Sequence, residues 1–266
     1  MPIIEEPDRA EEKADLADRN ARVTWERFAA ARGHRVTSAA SLLAVSPAHA
    51  KDPAGTRIII NRDANRELTN SDLRTVADHG PTAFLAVEDN SRELDLSDAG
   101  FTLREMPVMF LDARHRIRID ERAKAPRVTV ERINGSIQLA EFERILVEQF
   151  PLPQFLPYEA GQVFPSAMLE MSDVAFYRLT SEEKIVAGCM TVLSDGGAGI
   201  YWVVTDAGHR SRGLGSRLLT FVLDDLGVPW VTLTASEQGL PLYLQHGFEV
   251  VAMSHWWQRR AVRAQT

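Results

Sequence analysis

The chain has 266 residues, enough for one large domain or two small ones with a substantial core. Its hydrophobic content of 45%, charged content of 25% and net charge of −7 are typical of a globular protein and argue against a nucleic-acid partner. A single cysteine, Cys189, excludes an internal disulfide framework, and no Cys/His cluster has the spacing of a metal site.

Targeting signals are not evident in the sequence. No apolar run approaches the roughly 18 residues that span a bilayer. The N-terminus is acidic, the reverse of the basic start of a secretory signal. We therefore expect a cytoplasmic protein without a membrane partner, and the sequence leaves a homodimer open.

The first part of the chain divides into a tail and a set of short elements. Residues 1–20 are charged and poor in large apolar side chains, which predicts a frayed tail or an exposed helix. Strands are predicted at Arg57–Asn61 and Thr82–Val87, with a helix between them that ends near Gly80. A short helix at Arg92–Ala99 and a strand at Pro107–Leu111 complete a predicted region at 21–113.

A charged segment at 114–126 is predicted to link this region to a larger domain at 127–266. The domain begins with a strand, Arg127–Ile133, and a helix, Ser136–Phe150. The Pro-rich stretch 151–165 suits a substrate-side loop. The remaining predicted elements are a hairpin (Val174–Thr180 with Ile185–Ser194), a strand at Val228–Ala235, a short helix at Leu240–Gly247 and a last strand at Phe248–Gln258.

The most informative segment lies between residues 200 and 223. An apolar run, Ile200–Thr205, predicts a strand, and a turn with Arg-x-x-Gly-x-Gly at Arg210, Gly213 and Gly215 follows it. Apolar residues at helical spacing then predict a helix. A strand, a glycine-bearing turn and a helix N-terminus together favour a bound anion, because unpaired amides and the helix dipole point at the turn.

Two nucleotide-binding motifs fit this segment poorly. A P-loop requires a lysine after its second glycine, and none stands there. A dinucleotide fingerprint requires a third glycine, which is also missing.

The segment Thr205–Gly215 resembles the acetyl-CoA signature of the GNAT acetyltransferase superfamily, Arg/Gln-x-x-Gly-x-Gly/Ala after a strand. A second block, Val231–Phe248, resembles the later strand and short helix of that family, which end in Tyr-x-x-x-Gly-Phe. The resemblance implies an α/β fold of mixed α+β type, with a central, splayed mixed sheet flanked by helices. It also implies an acetyl-CoA-dependent N-acetyltransferase whose substrate is a small-molecule amine.

The same resemblance implies roles for particular residues. In the family, one strand presents unpaired backbone groups to the pantetheine arm of CoA, and a turn cradles the phosphates. Tyr243 matches the tyrosine that protonates the departing thiolate, a role that a tyrosine hydroxyl suits. The matching cofactor-binding positions are Val203, Val204, Thr205, Arg210, Ser211, Arg212, Gly213, Leu214, Gly215 and Ser216, with Ser236 where many relatives carry asparagine.

The N-terminal region repeats the order of these elements. Strand, helix, strand, short helix, Gly-Phe and strand occur in both parts, and Asp98–Phe101 echoes Gln245–Phe248. We therefore hypothesise that 21–113 is a degenerate, half-sized GNAT-like domain, the alternative being an unrelated α+β cap. Its turn at 61–66 has no glycine and should not bind a pyrophosphate.

The general base is not identified by the sequence. The strand that enters the cofactor turn, Gly199–Val203, contains no carboxylate, and Glu170, Asp173 and Glu237 are only candidates. A water chain or an amine that arrives neutral is equally consistent. The missing base leaves a second interpretation open, namely a non-catalytic acyl-CoA sensor or an assembly protein.

Overall fold

The computed structural model describes residues 7–49, 51–65, 84–119, 128–150 and 152–260. The helix predicted before Gly80 lies outside the described residues. The helices of the described ranges are α1 (Pro7–Arg32), α2 (Ser136–Gln149), α3 (Leu214–Leu226) and α4 (Leu240–Gln245). The strands are β1 (Arg35–Ser38), β2 (Leu42–Ser46), β3 (Thr56–Ile60), β4 (Phe84–Asp89), β5 (Thr102–Asp112), β6 (Val128–Arg132), β7 (Val174–Ser181), β8 (Lys184–Ser194), β9 (Gly197–Thr205), β10 (Trp230–Thr234) and β11 (Glu249–Arg260).

The chain forms two compact units, Met1–Val108 with Val251–Thr266, and Met109–Val250. These bounds differ from the predicted ones at both ends of the larger domain. The predicted last strand is β11, and most of it lies in the first unit because it pairs antiparallel with β4, from His255 opposite Asp89 to Arg260 opposite Phe84. The segment predicted as a linker begins inside the second unit, where the side chain of Arg116 binds Asp224 and the carbonyl of Thr220.

The first unit contains the sheet β1-β2-β3-β4-β11 and the long helix α1. Strands β1 to β3 are antiparallel neighbours, whereas β3 and β4 run parallel. Helix α1 runs through residue 20, where the predicted tail was to end, because Ala14, Ala17 and Ala21 recur at helical spacing and are buried. None of the described helices is long and apolar enough to cross a membrane.

The predicted helix at Arg92–Ala99 is wrong, and only a 3-10 turn forms at Ser97–Ala99. The carboxylate of Asp89 accepts hydrogen bonds from the amides of Ser91, Arg92 and Leu94. A side chain that takes up these amides holds the backbone in a turn instead of a helix. Arg92 accordingly lies in the left-handed region with φ 60°.

The second unit contains β10-β9-β8-β7-β6, with residues 109–112 of β5 beside β10. The predicted hairpin is confirmed as β7 and β8, and β8 continues antiparallel to β9. Helix α3 also follows its predicted pattern. Its apolar stripe is buried against the sheet through Leu214, Leu218, Leu219, Val222 and Leu223.

Gly188 allows α2 to approach β8 closely. A Cβ placed on this residue would lie 2.5 Å from the ring of Phe142 and 2.8 Å from the carbonyl oxygen of Tyr177. Gly188→Ala should therefore destabilise the second unit by about 2–4 kcal/mol through overpacking of the core. The measurement is urea unfolding, with Gly135→Ala as the matched control, since a Cβ there has only one atom within reach, at 4.0 Å. Equal unfolding midpoints for the two variants would contradict this account.

The first unit buries an ion pair between Glu88 and Arg57, whose charged atoms lie 3.8 Å apart. Burial raises the pKa of Glu88 to about 7. The positive charge of Arg57 lowers this pKa, and the negative charge of Asp18 raises it by a smaller amount. When the pKa of a carboxyl group is higher in the folded than in the unfolded protein, the group stabilises the fold at a pH below the unfolded pKa. This stabilisation is lost as the pH rises through the folded pKa.

The free energy of unfolding of this unit should therefore fall between pH 5 and pH 8, and Glu88→Gln should reduce that fall by about 1–3 kcal/mol. Protection factors of the β3 and β4 amides measure this free energy locally. Glu93→Gln, at an exposed position, is the control that should keep the wild-type dependence. A Glu88→Gln variant as sensitive to pH as the wild type would refute the assignment.

Candidate functional site

The strands β9 and β10 separate within the second unit. Their parallel pairing is limited to Ala198 opposite Val231 and Gly199 opposite Thr232, although β9 continues to Thr205. The six residues from 200 to 205 therefore extend beyond the ladder. This divergence opens one edge of β9 at its carboxyl end, where open α/β sheets usually bind their ligands.

A bulge in β9 accompanies the divergence. The register with β8 shifts between Gly188 and Met190, and Trp202 on the opposite strand has φ 55°. Beyond the bulge, the amide of Asp206 donates to the carbonyl of Val186 at 2.8 Å. Because hydrogen-bonding direction alternates along an antiparallel strand, the backbone groups of Thr205 point away from β8, towards the open edge. The backbone groups of Val203, two residues earlier, also point towards the open edge. Those of Val204 point towards β8, opposite Gly188.

The turn after β9 presents a row of amides. Arg217 is the first residue of α3 whose amide finds an acceptor inside the helix, the carbonyl of Gly213 at 3.1 Å. For the amides of residues 211–216, the described part of the chain provides no hydrogen-bond acceptor. Ser211 and Gly213 adopt left-handed conformations, with φ 60° and 74°. When left-handed residues alternate with other conformations in this way, successive amides point towards a common centre and form an anion-binding nest.

The two motif glycines have different environments. A Cβ on Gly213 would meet no atom within 4 Å, so the space beside this amide is open. A Cβ on Gly215 would lie 3.3 Å from the side chain of Leu242 and 3.7 Å from the hydroxyl of Thr205. Gly215 is thus the point where β9, α3 and α4 approach one another.

Side chains that precede the nest hold its shape. The carboxylate of Asp206 accepts from the amide of Gly208 at 3.1 Å and contacts Nδ1 of His209 at 2.7 Å. Gln149, at the end of α2, accepts from the amide of Ala207 at 3.1 Å. Arg210 donates through Nε to the carbonyl of Thr205 at 3.1 Å. One donor of the Arg210 side chain is therefore used within the turn. Arg212 is exposed and is the second positive charge beside the amides.

Tyr243 lies in α4, and only 6% of it is exposed. Its ring packs edge to face against Phe248, with 5.8 Å between the centroids. Burial raises the pKa of the Tyr243 hydroxyl, and the nearby Cys189 thiol adds to the effect. The hydroxyl is consequently protonated at neutral pH, and the described residues offer it no hydrogen-bond partner.

Two predicted serines lie beside α4 and its ends. Ser236 is exposed just before the helix, where its hydroxyl accepts from the amide of Gly239 at 3.2 Å. Ser216, in the first turn of α3, contacts Nε2 of His246 at 3.0 Å through its hydroxyl. The sequence prediction gave His246 no role, because nothing in the pattern indicates that its ring meets α3.

The Pro-rich loop is held by a buried carboxylate. Glu143, on α2, is fully buried and accepts from the amides of Gly161, Val163 and Phe164 and from the hydroxyl of Tyr158. Phe164 stacks on Phe142 at 5.4 Å and meets Trp202 edge to face at 6.3 Å. The loop is therefore fixed against the bulge of β9.

The structure thus brings together most of the residues predicted for the site. The amides of the nest, the open edge of β9 and α4 meet around Gly215. Among the described residues, no group of three or more His, Cys, Asp or Glu side chains could hold a metal ion. The residues missed by the sequence prediction are Asp206, Gln149 and His246, which shape the turn without belonging to the motif.

Comparison with known proteins agrees with this geometry. Residues 172–250 match the family model of the acetyltransferase (GNAT) domain, and this range includes β9, the nest and α4. No curated protein matches the sequence significantly.

Several solved structures share the fold. A GCN5-related N-acetyltransferase from Kribbella flavida aligns with TM-score 0.59 and 14% identity, covering 90% of this chain and 95% of that one. A conserved protein of unknown function from Staphylococcus epidermidis gives TM-score 0.60 and 11% identity, covering 87% and 96%. A tandem GNAT protein from the clavulanic acid biosynthesis pathway gives TM-score 0.52 and 13% identity, covering 84% and 79%. At such identities the likeness shows the fold alone, and the family model identifies a GNAT domain at residues 172–250 of this chain.

Proposed function

We propose that this protein is an acetyl-CoA-dependent N-acetyltransferase that moves an acetyl group directly to the amine of a small molecule. The GNAT domain supports acyl-CoA-dependent acetyl transfer in general. The observation that carries the proposal is the row of unpaired amides at residues 211–216, beside the open edge of β9. Unpaired amides at a helix N-terminus stabilise a diphosphate through hydrogen bonds and the helix dipole.

The residues of the site fit CoA in two stretches. Backbone groups of Val203 and Thr205 face the open edge and would bind the amide groups of the pantetheine arm. The nest, with Arg212 beside it, would bind the diphosphate. Ser236 lies next to Gly239 and Tyr243, where its hydroxyl would contact the pantetheine.

Acetyl-CoA is a substrate of this reaction and supplies the acetyl group as a thioester. The amine nitrogen, when neutral, would form a bond to the acetyl carbon while the carbon–sulfur bond breaks. Tyr243 would hold the proton that the sulfur takes, and its raised pKa keeps this proton available at neutral pH. The amine would lose its proton to solvent, from which Tyr243 is reprotonated.

The acceptor side of the site would be formed by the Pro-rich loop. Glu143 and Phe164 fix this loop against Trp202, one residue before the backbone that faces the open edge. A rigid wall beside the thioester would orient the amine for attack.

We infer that the first unit contains a degenerate copy of the same fold that does not bind CoA. Its parallel strands β3 and β4 correspond in order to β9 and β10. Two amides of the turn after β3 already have acceptors, because Asn61 donates to the carbonyl of Ser41 at 2.8 Å and Ala64 donates to that of Asn61. This turn also carries Asp63, whose charge would repel a phosphate.

A non-catalytic acyl-CoA sensor is the alternative, and one observation favours it: β9 carries no carboxylate that could serve as a base. Incubation with acetyl-CoA and a panel of amines separates the two functions. Amine-dependent release of free CoA supports the enzyme, whereas tight CoA binding without release supports the sensor.

The nest predicts how CoA affinity depends on Gly213. Gly213→Leu should weaken CoA binding roughly tenfold or more, because the side chain fills the space beside the amides and the left-handed backbone resists it. Isothermal titration with CoA measures the effect. Gly227→Leu is the matched control, since Gly227 is also left-handed with open space around it but lies at the opposite end of α3. An equal loss in both variants, or none in either, would remove the proposed nest.

Tyr243→Phe should lower turnover roughly 100-fold while CoA affinity stays within a factor of about two, because only the proton donor is removed. Turnover is measured with an accepted amine from the panel, and affinity by titration. Tyr177→Phe, which removes a different buried hydroxyl, is the control and should keep most of the activity. Wild-type turnover in Tyr243→Phe would assign this residue to packing.

A further inference from the structure

We propose that His246 is a positioning residue that turns the hydroxyl of Ser216 into a donor for the diphosphate of CoA. The inference rests on the proposed function, since it concerns the same nest. It goes beyond that proposal by assigning a role to a side chain outside the motif.

His246 is fully buried at the end of α4. Its Nε2 lies 3.0 Å from the hydroxyl oxygen of Ser216, so the two side chains share one hydrogen bond. The backbone at His246 is held as well, because its carbonyl accepts from the amide of Ile117 at 3.1 Å. The hydroxyl of Ser216 therefore contacts His246, while the amide of the same residue belongs to the nest.

The imidazole is neutral in the working range of a cytoplasmic enzyme. Burial lowers the pKa of His246 to about 4, and the positive charge of Arg116 contributes. A neutral imidazole carries a single N–H, on either Nδ1 or Nε2. The position of that proton decides what the Ser216 hydroxyl can do.

With the proton on Nδ1, Nε2 would accept the O–H of Ser216 and occupy its only proton. With the proton on Nε2, the ring would donate to the Ser216 oxygen and leave the O–H free to bind an anion. Among the described residues, the buried Nδ1 has no hydrogen-bond partner. A buried N–H without an acceptor is rarer and costs more than an acceptor without a donor.

Arg116 helps to keep the ring neutral, because its positive charge lowers the pKa of His246. Arg116 is held there through Asp224 at 2.7 Å and the carbonyl of Thr220 at 3.0 Å, both on α3. Because the described residues give Nδ1 no acceptor, the proton of this neutral ring resides on Nε2, and Ser216 keeps its own proton for the diphosphate.

The test compares affinities of the full-length protein for CoA, dephospho-CoA and pantetheine, since only the first two contain the diphosphate. Ser216→Ala should weaken CoA and dephospho-CoA roughly tenfold and leave pantetheine unchanged, because a hydrogen bond to a charged group is lost. His246→Met should show the same pattern, because the Ser216 hydroxyl loses the N–H that orients it towards the diphosphate. His246→Gln places an amide N–H near the position of Nε2 and should restore most of the affinity for CoA.

The double variant Ser216→Ala/His246→Met should bind CoA no more weakly than Ser216→Ala alone, because His246 acts through this one hydroxyl. Additive losses, equal losses for pantetheine, or a wild-type affinity in His246→Met would overturn the inference. Thermal unfolding of each variant shows whether it folds. If His246→Met does not fold, Ser216→Ala and His246→Gln still decide, since loss of CoA affinity in the latter contradicts the proposed donor. A wild type that binds no CoA would refute the proposed function itself.

Discussion

The early end of the β9–β10 ladder is the constraint on which the site depends. Two residue pairs join these strands, and β9 then continues past its bulge at Trp202 paired with β8 alone. Backbone groups that would otherwise pair with β10 are left for a ligand, and the strand delivers the chain to the N-terminus of α3 at the same edge. Amides left unpaired along a strand and at a helix start are available to a ligand that carries hydrogen-bond acceptors along its length. The open edge and the nest therefore point to one extended ligand.

Each unit completes its sheet with a strand from a different part of the chain. In the first unit, β4 pairs with β11, which comes from the C-terminal end of the chain. In the second unit, the end of β5 lies beside β10, where the hydroxyl of Thr232 donates to the carbonyl of Met109 at 2.9 Å. The parallel pairs β3–β4 and β9–β10 thus both receive a strand that follows a copy of the Gly-Phe motif. The first unit is therefore incomplete without residues from the C-terminal end of the chain.

Periodicity and motif spacing predicted the elements around the site, because β9, α3 and the hairpin β7–β8 obey local rules. The stripe of leucines after Gly213 required a helix with one buried face, and the structure has it. The failures have different causes. The carboxylate of Asp89 accepts hydrogen bonds from amides of the predicted helix and holds them in a turn. In α1 the buried face consists of alanines, whereas the sequence prediction relied on large apolar side chains. The pairing of β11 with β4 depends on contacts distant in sequence, which no periodicity encodes.

The net charge of −7 indicates a protein that avoids polyanions, yet the nest suits a diphosphate. The conflict disappears when the range of each interaction is considered. Net charge acts through solvent and is screened within about 8 Å at physiological salt. The amides of the nest act at hydrogen-bond distance and are uncharged, so they do not change the net charge of the protein. Arg210 also acts through a hydrogen bond at short range, since it donates to the carbonyl of Thr205 and stiffens the turn. A lysine at that position would bring the same charge on a longer flexible chain, without the planar group that arginine offers to the carbonyl.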